Sequence, residues 1–167
     1  MKRRTLIITI ILHAALLTVV YAFQGMVFPN LKLFGFVPLL LPVASTGVAV
    51  YEGRYTGGIV GIFAGILCDV SFNEPAGVFT ILLTVTGLLV GYLADTVLAR
   101  GFVVFIICCA FVLAVSAFAQ LFPLLFFEYV LLQPLIATAV RQTAYSLLFA
   151  FPIWFFVRAL GKRAQKG

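Results

Sequence analysis

Charge is what this chain has least of. Only 10% of its 167 residues are charged, and no more than five of them are acidic. A soluble domain carries about 25% charged residues, because a charged shell has to cover its core. An ordinary soluble domain is therefore excluded. Disorder is excluded by the same scarcity, since disordered chains combine high charge with few apolar residues. There is one histidine, and no HExxH, GxSxG or helically spaced Ser/Lys pair. Cys68, Cys108 and Cys109 all lie in apolar runs with no CxxC spacing, and adjacent Cys108 and Cys109 are poor disulfide partners. They read as buried thiols. These absences predict a chain with no catalytic, metal-binding or cofactor-binding set. The net charge of +6 does not indicate nucleic-acid binding, because the basic residues gather at the two ends and in short connections, not on one face.

Hydrophobic residues make up 64% of the chain. At about 20 residues per membrane crossing, six crossings take roughly 120 residues. That leaves no room for a separate soluble domain of about 100 residues. Apolar runs fall at about 5–23, 36–51, 57–70, 77–94, 101–119 and 137–160. The expected fold is an all-α membrane protein, 1–167 in a single domain, with six transmembrane helices in one bundle. The first run is preceded by Lys2, Arg3 and Arg4 but is too long for a secretory signal core, and further apolar runs follow it; it reads as an uncleaved first helix. Gln24, Pro29, Asn30 and Lys32 mark a connection. Pro123, Glu128, Gln133 and Pro134 give 120–134 the look of a long interfacial or re-entrant connection, with Phe126, Phe127 and Tyr129 at headgroup level. Pro152 falls within the sixth run.

Six spans place both termini on one side. That side gathers Lys2, Arg3, Arg4, Arg54, Arg100, Arg158, Lys162, Arg163 and Lys166, against Lys32 and Arg141 on the other. The bias predicts cytoplasmic termini.

Few polar groups interrupt the runs. His13 lies midway along the first, where a neutral imidazole bonded to a neighbouring helix is the expected state. Asp69 ends the third run, where its own helix dipole disfavours negative charge. It therefore calls for a compensating donor, and Arg141 is the candidate. Asp69 and Asp95 are expected at opposite membrane faces, too far apart to form a catalytic pair. The strongest pattern is steric. Gly53, Gly57, Gly61 and Gly65 recur at spacing four, and Gly87 and Gly91 form a second GxxxG. Such stripes let helix backbones approach closely, within the bundle or against a partner.

Residues 57–95 read GGIVGIFAGILCDVSFNEPAGVFTILLTVTGLLVGYLAD. This resembles the signature of the rod shape-determining MreD family: a glycine-rich helix ending in Asp69, a turn with Pro75 and Gly77, and a helix closing on Gly91, Tyr92 and Leu93. The turn at 71–75, Ser-Phe-Asn-Glu-Pro, departs from the family's Ser-Gly-Ser-Pro type. The resemblance implies a non-enzymatic subunit of the bacterial cell-elongation complex in the cytoplasmic membrane. Such a subunit binds MreC and works with MreB, RodA and a penicillin-binding transpeptidase in peptidoglycan synthesis. It also implies a fold similar to the substrate-binding subunits of energy-coupling factor transporters. A vitamin-binding subunit of that kind is the alternative reading, with Asn73, Glu74, Tyr129 and Gln133 about its pocket. Against it, the first helix offers only Ala14 and Thr18 where such subunits carry AxxxA.

Overall fold

The computed structural model describes residues 3–31, 39–72, 77–96, 101–127 and 132–164, with side chains at 9–26, 39–71, 77–96, 101–120 and 140–159. The described residues form six helices and no strand: α1 (Arg3–Leu31), α2 (Leu40–Glu52), α3 (Arg54–Phe72), α4 (Val78–Thr96), α5 (Phe102–Phe127) and α6 (Leu132–Ala164). Four contain stretches long and apolar enough to cross a membrane: Thr9–Met26, Val78–Thr96, Phe102–Gln120 and Val140–Ala159. The surface agrees with them. Val19, Phe63, Ile81, Ile107, Phe111 and Leu148 all point outward, and a face of that kind suits hydrocarbon as solvent. The architecture is compatible with a multi-pass membrane protein.

The helices are arranged as a ring around a post. α1, α3, α4, α5 and α6 follow one another around the circle, each touching the next and α6 closing on α1, and all five touch α2. From Leu40 to Val50 every residue of α2 is buried. A helix enclosed on all sides must be apolar all round. The sequence LLPVASTGVAV meets that requirement, with the hydroxyls of Ser45 and Thr46 turned back onto the Pro42 carbonyl at 3.0 and 2.7 Å.

Local chemistry sets the limits of α2. Pro42 lies in its first turn, where a backbone N–H would find no acceptor within the helix. The N–H of Leu39, just outside, donates 2.9 Å to Ser146 Oγ, which itself donates 2.7 Å to the Gln142 carbonyl of α6. At the other end Gly53 adopts φ 85° and ψ −171°, a region open almost only to glycine, and the chain reverses into α3. Beside this end Trp154 of α6 stacks with Tyr51 and Phe105 at centroid distances of 5.0 and 4.8 Å, tying α2, α5 and α6 together.

Two boundaries differ from the sequence reading. α1 continues through Gln24 and Pro29 to Leu31, and the stretch read as a connection from 120 to 134 is helical up to Phe127 and again from Leu132. A single glutamine is a good helix residue, and a proline near a helix end forfeits one backbone bond without ending the helix. Pro152 lies inside α6, as the sixth apolar run implies.

Ser146 accepts the Leu39 N–H at the start of the post. Ser146→Ala is expected to lower unfolding stability by about 1 kcal/mol in detergent titrations. Ser71→Ala, whose exposed hydroxyl bonds only its own helix, should leave it unchanged.

Candidate functional site

The glycine stripes meet each other. α3 and α4 form the most extensive helix pair in the molecule, running antiparallel with Gly57 against Gly87, Gly61 against Leu83, Gly65 against Thr80, and Gly91 against Arg54. A methyl group added to Gly87 would lie 2.6 Å from the Gly57 carbonyl oxygen; one added to Gly57 would lie 2.7 Å from Ala49 Cβ and 2.9 Å from the Gly87 oxygen. The stripes are thus buried in contacts within the bundle. Of the two roles open to them in the sequence, internal packing is the one the structure occupies.

Each end of this pair is closed by an aspartate from the other helix. Asp69, in the last turn of α3, accepts bonds from the backbone N–H groups of Gly77 (3.1 Å), Phe79 (2.9 Å) and Thr80 (3.1 Å) and from the Thr80 hydroxyl (2.6 Å). These groups are the start of α4. Asp95, in the last turn of α4, accepts from the Arg54 N–H at the start of α3 (3.1 Å). Each carboxylate sits unfavourably at the negative end of its own helix and favourably at the positive end of its neighbour. Both helices follow a glycine with positive φ, Gly53 at 85° and Gly77 at 102°. The arrangement is nearly two-fold, and the sequence carries its trace. Gly61, Gly65, Leu67 and Asp69 recur 26 positions later as Gly87, Gly91, Leu93 and Asp95, and Thr80 stands to Asp69 as Arg54 stands to Asp95.

This corrects the expected pairing of Asp69 with Arg141. The compensating donors exist, but α4 supplies them. Arg141 is exposed on α6, a helix that packs on α1, α2 and α5. His13 also differs from expectation. It is fully buried, but its Nδ1 lies 2.7 Å from the Thr9 carbonyl of its own helix, not from a neighbour. That bond makes Nδ1 the donor and leaves Nε2 an acceptor, buried and without a partner. Asp69 and Asp95 cap opposite ends of the α3–α4 pair, so they share no site. Of the residues expected about a vitamin pocket, Asn73, Glu74 and Tyr129 lie outside the described residues, as do Pro75, Lys32 and the side chain of Gln133.

Two apolar grooves open on the outside of the ring. One, of about 370 Å³, runs between α1 and α6 over Leu40 of α2, with Leu16, Val19, Phe23, Phe149 and Pro152 in its walls. The other, of about 440 Å³, lies between α5 and α6 and is lined by small residues, among them Ala114, Ala117, Thr143 and Ala144. Among the described residues no three His, Cys, Asp or Glu side chains come together in a way that could hold a metal ion. The three cysteines are buried and unbridged.

No family model, characterised protein or solved structure matches the chain.

The reciprocal caps give a direct expectation. Asp69→Ala should cost about 2 kcal/mol, the upper range for a helix cap. In a double-mutant cycle with Arg141→Ala the two effects should add to within about 0.5 kcal/mol, whereas an Asp69–Arg141 ion pair would leave a clear coupling energy. Gly61→Leu drives a side chain into the Leu83 backbone of α4, and membranes expressing it should yield α3–α4 fragments cleaved by protease under conditions that leave the native chain intact.

Proposed function

We propose that the chain is a non-enzymatic membrane scaffold subunit of the MreD type, which binds the single-span protein MreC in the bacterial cell-elongation complex. With its partners MreB, RodA and a penicillin-binding transpeptidase it would support peptidoglycan synthesis and rod shape. The observation that carries this reading is the use to which the α3–α4 segment is put. Asp69, Gly77 and Gly91, three of the residues on which the resemblance to MreD rests, serve as cap, turn and close contact in one helix pair. Residues given over to holding two helices together suit a protein whose product is a rigid surface.

The remaining features are consistent with such a role. Asp69, Thr80, Thr84, Thr86 and Thr96 all bond within or between α3 and α4, and the ring turns apolar residues and two grooves outward. A single transmembrane helix docks on a surface of this kind through packing and small residues, since lipid offers it no hydrophobic gain. On this reading all six helices lie in the cytoplasmic membrane, both termini and most of the basic residues face the cytoplasm, with Lys32 and Arg141 on the other side, and the bundle has the layout of the substrate-binding subunits of energy-coupling factor transporters.

Depletion in the parent cell tests the proposal. Rod-shaped cells should become round, and the tagged chain should bring down a single-span protein with a coiled-coil segment. A vitamin released from the purified protein on denaturation, with cell shape unaltered by depletion, would replace the scaffold reading with the transporter one.

A further inference from the structure

The seam between α5 and α6 changes character along its length. In one half it is closed by aromatic rings: Phe102 of α5 meets Phe151 and Trp154 of α6, each at a centroid distance of 5.7 Å, and Phe105 meets Trp154 at 4.8 Å. In the other half the facing residues are small. Ala114 and Ala117 of α5 and Thr143 and Ala144 of α6 leave the groove of about 440 Å³. Ala114 and Ala144 are exposed on its walls, so it opens to the outside of the ring.

The groove ends at the edge of the apolar layer. The apolar stretches of the two helices are Phe102–Gln120, 19 residues, and Val140–Ala159, 20 residues. Each extends about 30 Å, the hydrocarbon thickness of a bilayer. On α6 the wall runs from Leu147 to Val140, the first residue of that stretch. With the bundle in a membrane, the groove thus lies in the outermost part of the hydrocarbon and reaches the headgroup level at Val140.

Arg141 stands at that level. It is exposed, follows Val140 and precedes Ala144 by three residues, which places it on the rim of the groove, about 60° around α6 from Ala144. A helical side chain leans toward the N-terminus of its helix, and for α6 that is the headgroup direction. The other described charge in this half of the bundle is Asp69, whose carboxylate is taken up by the start of α4. α6 packs on α1, α2 and α5, so Asp69 does not neutralise Arg141. An apolar slot and an unneutralised guanidinium at its mouth together match an amphiphile with a hydrocarbon chain and an anionic head, and guanidinium pairs strongly with phosphate.

The dimensions favour a chain over a helix as the occupant. The α6 wall is about 10 Å long, so the groove averages about 40 Å² in section, roughly half that of a helix 10 Å across. A hydrocarbon chain can lie inside it, whereas a helix would have to stand outside.

We propose that the outer half of the α5–α6 seam is a site for an anionic phospholipid, with one acyl chain in the groove and the phosphate on Arg141. The lipid fills the space that the alanines leave and supplies the counter-ion that the protein does not. The inference needs a membrane around the bundle but no particular partner, so it stands apart from the scaffold reading.

Native mass spectrometry of the full chain in neutral detergent, titrated with phosphatidylglycerol and phosphatidylcholine in equal amounts, tests it. Saturable retention of phosphatidylglycerol in preference to phosphatidylcholine is expected. Arg141→Gln, on an exposed position, should weaken phosphatidylglycerol binding about ten-fold and abolish the preference. Ala144→Phe, which fills the groove, should lower retention of both lipids; if it fails to fold, Ala114→Phe on the opposite wall should do the same. Leu148→Phe adds bulk to an exposed α6 residue outside the groove and should change neither. The proposal is overturned by equal retention of the two lipids on the native chain, or by binding that none of the groove and Arg141 variants alters. It is also overturned if the groove-filling variants leave lipid retention intact but disrupt a dimer of this chain or release a co-purified single-span protein, since the groove would then belong to that occupant.

Discussion

Backbone N–H groups at the start of a helix need acceptors, and in an apolar medium water does not supply them. In this molecule α3 and α4 meet that need for each other. The carboxylate of Asp69 takes three N–H groups and a hydroxyl at the start of α4, and Asp95 takes the Arg54 N–H at the start of α3. The bonds reach across only because the helices touch backbone to backbone along Gly57, Gly61, Gly65, Gly87 and Gly91. Close contact and capping are one constraint: a side chain on either stripe would separate the helices and pull the aspartates off their N–H groups. The pair then offers a firm wall against which α2 is buried, and α1, α5 and α6 complete the ring.

The same economy explains how little charge the chain carries. Asp69 and Asp95 have local structural partners, and Ser45, Thr46 and Ser146 close backbone groups on or beside α2. The large side chains that stay outward are mostly apolar, with grooves at two seams of the ring. A subunit of a larger membrane assembly needs such a surface.

The helical class and the six apolar runs were legible because hydropathy alone marks them. Helix ends were less so. Gln24 and Pro123 read as connection residues, yet neither ends its helix, because apolar neighbours and one forfeited bond are compatible with continuing. The glycine stripes were legible as contacts, though not as contacts with each other. Asp69 was correctly read as needing donors, and the error lay in looking for a cation when a helix N-terminus serves. The signal that would have found it is the recurrence of Gly-x3-Gly-x3-Asp at 61–69 and 87–95, which places equivalent aspartates at opposite ends of an antiparallel pair.

The central claim is that two aspartates, each from the partner helix, close the ends of the α3–α4 pair. Amide hydrogen exchange of the full chain in detergent micelles, resolved at Arg54 and Thr80, tests it most directly. Both N–H groups should be protected in the native chain; Asp69→Asn should speed exchange at Thr80 while sparing Arg54, and Asp95→Asn should do the reverse. Exchange at Thr80 and Arg54 that is already fast in the native chain, or that does not respond to either substitution, would contradict the account.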